Sequence, residues 1–390
     1  MAISFEFRQL SIPFRFSYGH SKASHKGVEL LICIARNEMG QCGYGEAVPR
    51  IYVTGETPAS VWADLPKLHR LFSSVTNLET LKETIREEAT KWKGAFPSCA
   101  FCCVELALTD LFSRQTKKPF YAALGTKNRE ELSYSGSIGM GKKSFLKTQL
   151  VTYRAWGLKS FKVKVGSTHD LESLKMVRKV LGNQVRIFVD ANGAWDKETA
   201  IQKMEAFHAL GVWGIEEPLR RKSPDQKQLQ YDCESTLTDQ HYQANAWLRE
   251  RSPMDLIADE SVISPRSLQR AIDHSAFDVV DIRLSKLGGA ALSATAIKQA
   301  VGAGMKFYIG AMVGESAILA TAGSSLGAVY ADHLLIQGHS HGALHRKKIM
   351  KGGMKMRWGG RVKIMDSVGL GVRRNHRILD AFTLKQMTLK

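Results

Sequence analysis

No stretch of this 390-residue chain approaches the run of about 20 apolar residues that a bilayer-spanning helix needs. The first residues also lack the apolar centre of a secretory signal, so a cytoplasmic location is expected. Cysteine is scarce. The six (Cys33, Cys42, Cys99, Cys102, Cys103 and Cys233) show neither metal-finger spacing nor the density of a small disulfide-stapled secreted domain. Three of them lie in the apolar helical pattern PSCAFCCVELALTDL and read as small core residues. Negative charge is short as well: 37 Asp and Glu stand against 55 Lys and Arg, a net +18. The last fifty residues hold thirteen Lys/Arg against Asp366 and Asp380 alone, so +11 of that excess is at this end. These basic residues are not interleaved with aromatics and no nucleic-acid motif accompanies them. Neither nucleic acid nor membrane is therefore expected as a partner.

What the chain does have is a series of short β-branched or apolar runs that end in charge. SFKVKV contains Lys162 and Lys164, VRIFVD ends on Asp190, VWGIEE contains Glu216 and Glu217, and MDLIADE contains Asp259. Each reads as a buried strand with its chemistry at the C-terminal tip. Further strand ends fall near Ser137, Arg283, Gly310 and Gly338, mostly about 25 to 28 residues apart, the length of one βα unit. Helical patterns at 170–181, 197–210, 264–274 and 290–303 fill the gaps. Eight such units predict a (β/α)8 barrel, whose chemistry lies at the C-terminal strand ends. Three carboxylates from successive strands form a hard oxygen site suited to Mg²⁺, and a lysine beside it is a candidate base.

Residues 1–125 have another character. Alternating strands (3–10, 29–36, 43–47) precede helices (60–72, 78–92, 100–114), which predicts an α+β capping domain. The barrel is expected over 126–341, and 342–390 as a basic segment returning to the cap. The interval from Glu216 to Asp259 is too long by roughly 18 residues, so an insertion is expected within 220–251.

Together the KxK, DANGAW, EEP, ADES and KLGG segments, with GYGEAVPR, YVTGE and GLGV elsewhere, resemble the enolase superfamily in its muconate-lactonizing-enzyme subgroup. The resemblance covers nearly the whole chain. It implies an α/β protein with an α+β N-terminal capping domain and a modified (β/α)8 TIM-type barrel. It also implies Mg²⁺, with Mn²⁺ as a substitute, and abstraction of a proton α to a carboxylate. Carried over, Asp190, Glu216 and Asp259 would be the metal ligands and Lys164 the base. Lys162 would stand beside Lys164 on the same side of its strand, disfavouring its protonation. Asn192 would contact substrate or support the site. Family members often form homo-oligomers, which is the expectation here too.

Strand six departs from the pattern. The subgroup's K-x-x-K-x-G-G run here reads Arg283-Leu-Ser-Lys286-Leu-Gly-Gly, with Arg283 at the second catalytic position. An arginine stays protonated and is a poor proton shuttle, yet it can hold an enolate. Two-base racemisation is thereby in doubt, and a one-base cycloisomerase-like lyase or isomerase is the leading expectation. An N-acylamino-acid or dipeptide racemase, an acid-sugar dehydratase and a non-catalytic binding protein are the alternatives. Lys286, three residues on, would face the other side of a regular strand. The paired aspartates that hold a dipeptide ammonium are absent after strand eight, where His339 and His341 stand with His345 beyond. Two cap loops, 18–26 with Tyr18 and His20, and 49–57 with Arg50 and Tyr52, complete a cationic rim, and Glu315 lies after strand seven. A small anionic carboxylate is the expected substrate.

Overall fold

The computed structural model describes residues 3–20, 23–91, 96–139, 143–221, 233–338 and 344–390. The first layer is an antiparallel sheet of β1 (Ile3–His20), β2 (Ala23–Asn37) and β3 (Cys42–Ala47). It is followed by α1 (Ile51–Thr54), α2 (Pro58–Leu71), α3 (Leu78–Lys91) and α4 (Ser98–Gln115). The two long strands run further than their apolar alternation suggested. Tyr18 pairs with His25 and His20 with Ala23, so the described residues of the expected loop at 18–26 are paired strand. Strand β3 lies almost on helix α4: a Cβ on Gly45 would meet the Cys103 carbonyl oxygen at 1.8 Å, and one on Gly43 the Ala107 oxygen at 2.1 Å. Only glycine fits there. Cys99, Cys102 and Cys103 are buried in that helix.

After a short strand β4 (Glu131–Ser133) the chain alternates between strand and helix. The succession is β5 (Gly136–Ile138), α5 (Lys143–Ala155), β6 (Ser160–Lys164), α6 (Asp170–Leu181), β7 (Arg186–Asp190), α7 (Lys197–His208) and β8 (Val212–Glu216). It continues with α8 (Asp239–Arg251), β9 (Asp255–Ala258), α9 (Pro265–Asp273), β10 (Val279–Ile282), α10 (Leu284–Leu287), α11 (Ala290–Gly302), β11 (Lys306–Ile309), α12 (Ala317–Val329) and β12 (Leu334–Gln337). The eight strands β5 to β12 form one parallel sheet in chain order. A bridge between Tyr134 and Gln337, with Ser135 N donating to Gln337 O at 2.8 Å, curls it back on itself. Apart from their charged positions the strands are largely apolar because both faces are covered. Phe161, Val163, Ile187 and Val189 face the helices, while Phe188, Ile257, Val279, Tyr308 and Ile336 fill the barrel interior.

Helix α8 narrows the expected insertion at 220–251. It is the ordinary helix of this βα unit, and it buries Tyr242 and Leu248 with two polar neighbours, His241 and Asn245. Polar residues on its inner face hid it from a count of apolar positions. The remaining excess, 222–232, lies outside the described residues.

The tail adds β13 (Met350–Gly352), β14 (Arg361–Lys363), β15 (Val372–Arg374), α13 (His376–Phe382) and β16 (Thr383–Leu389). Strand β14 pairs with β4, and β16 pairs with β1 as the outer strand of the cap sheet. The cap also docks on the barrel through two buried glutamates at helix N-termini. Glu46 Oε1 accepts from Ser316 N at 2.7 Å, and its Oε2 from Ser316 Oγ at 2.7 Å and Leu319 N at 3.2 Å, at the start of α12. Glu105 accepts from Ala290 N at 2.9 Å and Ala291 N at 3.3 Å at the start of α11. Free N–H groups and the helix dipole make such ends favourable for a carboxylate. No helix among the described residues is long and apolar enough to cross a membrane.

Candidate active site

Side chains alternate along a strand, so the parity that sends Phe188 inward also sends Asp190 inward one layer higher. Register carries the same parity around the sheet. Lys162 lies opposite Phe188, Lys164 opposite Asp190, and Asp190 opposite Glu216. The inward layer at the C-terminal end therefore collects Lys164, Asp190, Glu216, Asp259 and Arg283 from five strands. Asp281, at the same parity as Arg283, belongs to it too.

All of these carboxylates are fully buried, and cations meet them. Lys164 Nζ donates to Asp190 Oδ2 at 2.5 Å and to Asn192 Oδ1 at 3.0 Å. Lys162 Nζ lies 2.8 Å from the same Asp190 oxygen and 2.6 Å from Glu216 Oε1. The Asp190 carboxylate thus stands between two ammoniums that would otherwise repel. Burial opposes its charge, but Lys162 and then Lys164 outweigh burial and hold its pKa below the usual range. Glu216 goes the other way: burial first, then the Asp190 charge, pushes its pKa well up despite Lys162. Tyr308 donates to its second oxygen at 2.6 Å. Asn192 takes a left-handed backbone, φ 47°, which turns its amide back toward Lys164.

Across the barrel, four strands from β6, Arg283 follows β10. Its Nε donates to Asp281 Oδ2 at 2.9 Å, a terminal nitrogen donates to Asp259, and Glu216 Oε1 is 3.8 Å away. Lys286 approaches the cluster from beneath. Its Nζ donates to the carbonyls of Asp259 and Asp281, both at 2.7 Å, and to Asp259 Oδ1 at 3.1 Å. Strand alternation does not govern Lys286, because residues 284–287 are already a helical turn. It is fully buried with these three bonds and does not reach the open side.

One residue that the sequence reading missed is Asp281. Glu216, Asp259 and Asp281 each offer an oxygen within 4.8 Å of the others. Asp281 Oδ1 is buried without a hydrogen-bond partner, and a Cβ on Gly310 would meet it at 2.0 Å. The signal was present in VVDIR, an aspartate two residues before Arg283 and so on the same face. Hard oxygens from adjoining strands, one of them unsatisfied, suit a divalent ion such as Mg²⁺. Glu217 is adjacent but otherwise engaged. It accepts from Asp259 N and Ser261 N, both at 2.7 Å, and from Ser261 Oγ at 2.8 Å, clamping β8 to β9.

The expected rim is placed in part. Burial raises the pKa of the Tyr52 hydroxyl, with the Arg50 and Arg283 charges opposing it and those of Glu260 and Asp259 adding to it. Arg50 donates to the Val313 carbonyl, and its Nε is buried without a partner. Glu315 accepts from Met312 N at 2.6 Å inside its own loop, where burial pushes its pKa up to about 8. His345 is buried rather than on a solvent rim: its Nε2 lies 2.7 Å from Gly314 O and its ring stacks on Phe14. His339 and His341 lie outside the described residues, as do the side chains of Tyr18 and His20.

A barrel under an α+β cap, with buried carboxylates and a KxK lysine pair at the strand ends, defines a carboxylate-enolising class of enzyme. A family model described as "Enolase C-terminal domain-like" matches residues 146–378. The chain belongs to the enolase superfamily, in the group that includes muconate-lactonizing enzyme. It is 26% identical over 315 residues to an N-succinyl-L-Arg/Lys racemase of Bacillus cereus, covering 80% of this chain and 78% of that one. It is 30% identical over 305 residues to an L-Ala-D/L-amino acid epimerase of Pedosphaera parvula, with 77% and 79% covered. The dipeptide epimerase of Cytophaga hutchinsonii, solved with Mg and D-Ala-L-Val, superposes with a TM-score of 0.86 at 21% identity over all of both chains. Muconate lactonizing enzyme of Pseudomonas fluorescens also superposes at 0.86, with 19% identity over 98% and 99% of the two chains. The relatives make the chain an isomerase-type enzyme, with epimerases more prominent than the expected cycloisomerase.

Proposed function

We propose that this chain removes the α-proton of an amide-linked amino acid, a dipeptide or an N-acylated amino acid, with Lys164 as the single base that also returns it. One observation carries this: Lys164 stands on one side of a buried carboxylate cluster and Arg283 on the other. Support for the substrate class comes from the racemase and epimerase relatives.

Lys164 is fixed by Asp190 and Asn192, so its nitrogen is positioned before substrate arrives, and as the neutral amine it takes the α-proton. Lys162, behind it, keeps positive potential under the site. Glu216 and Asp259, completed by Asp190 or Asp281, would hold Mg²⁺. When bound, the ion supplies the electrostatic stabilisation that a carboxylate needs as its enolate forms. Arg283 remains protonated and holds the anion from the far side. Lys164 gives the proton back to the face it came from. Exchange of the α-hydrogen therefore outruns inversion. Arg283 also favours a second reading, one-base cycloisomerisation or syn elimination, since neither needs a second shuttle.

The test is incubation with Mg²⁺ in D₂O, using D and L series of N-succinylamino acids and dipeptides with acid sugars and lactones alongside. Mass spectrometry and chiral chromatography then read mass and configuration. One mass unit gained by an amidated amino acid is the expected result. Loss of water from an acid sugar, or ring opening of a lactone, would favour the second reading. No exchange in any compound would leave a non-catalytic member of the fold.

A further inference from the structure

We propose that Arg283 and the divalent ion compete for the same carboxylates. The guanidinium is then an internal occupant of the metal site, which metal loading turns out toward the substrate. This rests on reading the Glu216, Asp259 and Asp281 cluster as the metal site.

The geometry is specific. Arg283 bonds Asp281 and Asp259 and lies 3.8 Å from Glu216, so one cation touches all three members of the cluster. Magnesium binds oxygens at about 2.1 Å in a near-octahedral shell. A guanidinium already directed at Asp259 Oδ2 and Asp281 Oδ2 blocks those approaches. The cluster already carries cations without a metal: Lys162, Lys164, Arg283 and Lys286 each pair with Asp190, Glu216, Asp259 or Asp281. Adding a divalent ion overloads it with positive charge unless one cation withdraws.

Arg283 is the one able to withdraw. Lys286 is locked by two backbone carbonyls, and Lys162 and Lys164 are both anchored to Asp190, outside the three-carboxylate cluster. Arg283 has only the carboxylates on one side. On the other, its NH1 faces the Met312 sulfur at 3.8 Å, a weak partner. Withdrawal leaves Asp259 compensated, because Lys286 still donates to its other oxygen. The displaced guanidinium would then face the substrate side of the cluster, where it could hold an enolate. Metal loading and assembly of the anion site become one event. A lysine at this position offers a single point charge on a shorter stem and cannot fork across Asp259 and Asp281.

The experiment is calorimetric titration of the whole protein with Mg²⁺ in the absence of substrate, comparing wild type, Arg283→Lys and Arg283→Gln. Competition predicts that Arg283→Lys tightens Mg²⁺ binding by about tenfold or more, although its charge is unchanged, because no buried forked pair has to break. Arg283→Gln should bind at least as tightly. If Arg283→Lys binds like wild type or more weakly, the guanidinium acts only as nearby charge and the proposal fails, whatever Arg283→Gln does. Should Arg283→Gln not fold, Arg283→Lys alone decides. Absence of Mg²⁺ binding in every variant is a different failure, that of the metal-site reading itself.

Discussion

Replacing Glu46 by Gln should change how the stability of this protein depends on pH. Glu46 lies in β3 of the cap, fully buried, with both oxygens on the N-terminal turn of barrel helix α12. Burial raises its pKa from 4.5 to about 7, against the opposing bonds from Ser316 and Leu319. The nearby buried Glu315, itself pushed up to about 8, is of the same charge type. A carboxyl whose folded pKa exceeds its unfolded one binds its proton more tightly when folded. Its stabilising contribution is full below pH 4.5 and disappears as pH rises through about 7. The displacement is worth ~3 kcal/mol. Urea unfolding of wild type and Glu46→Gln at several pH values between 5 and 8 would measure it. Wild type should lose ~3 kcal/mol relative to the variant across that window. Parallel curves would refute the reasoning, since they would mean that Glu46 titrates alike folded and unfolded.

Other outcomes follow from the same contacts. Glu216→Gln should weaken Mg²⁺ binding by about tenfold to a hundredfold in calorimetry, because a charged oxygen is lost; unchanged affinity would remove Glu216 from the ligand set. Asp281→Asn should also weaken Mg²⁺ binding if this carboxylate completes the shell, whereas an effect confined to Asp190→Asn would assign the third ligand to β7. Gly45→Ala should destabilise the cap by roughly 3 kcal/mol or more, because its Cβ would meet backbone that cannot yield; a variant with wild-type melting would contradict the close contact of β3 and α4.

The barrel was legible because the strands are buried on both faces and five of the eight tips carry charge, so apolar runs and their tips could be counted. The observed ends at Lys164, Asp190 and Glu216 coincide with those read from sequence, and the other five differ by one residue. Two things hid the rest. Polar residues in buried positions, such as His241 and Asn245 on α8, disguise a helix as an insertion. Local geometry also decides where a side chain goes after a strand ends. Lys286 reaches the carboxylates only because residues 284–287 turn helically, and His345 is drawn inward by the Gly314 carbonyl. Asp281 lies inside its strand rather than at a charged tip, so only its shared parity with Arg283 two residues later marks it as part of the site.

The most direct measurement of the central claim is α-hydrogen exchange by Lys164→Ala. Wild type and variant would be loaded with Mg²⁺ in D₂O and given each enantiomer of an N-acylated amino acid or dipeptide that wild type exchanges, with Mg²⁺ affinity measured in parallel. The account predicts that wild type exchanges one enantiomer with its configuration retained, and that the variant binds Mg²⁺ yet exchanges neither. Exchange that survives the loss of Lys164, or rapid inversion by wild type, would contradict it.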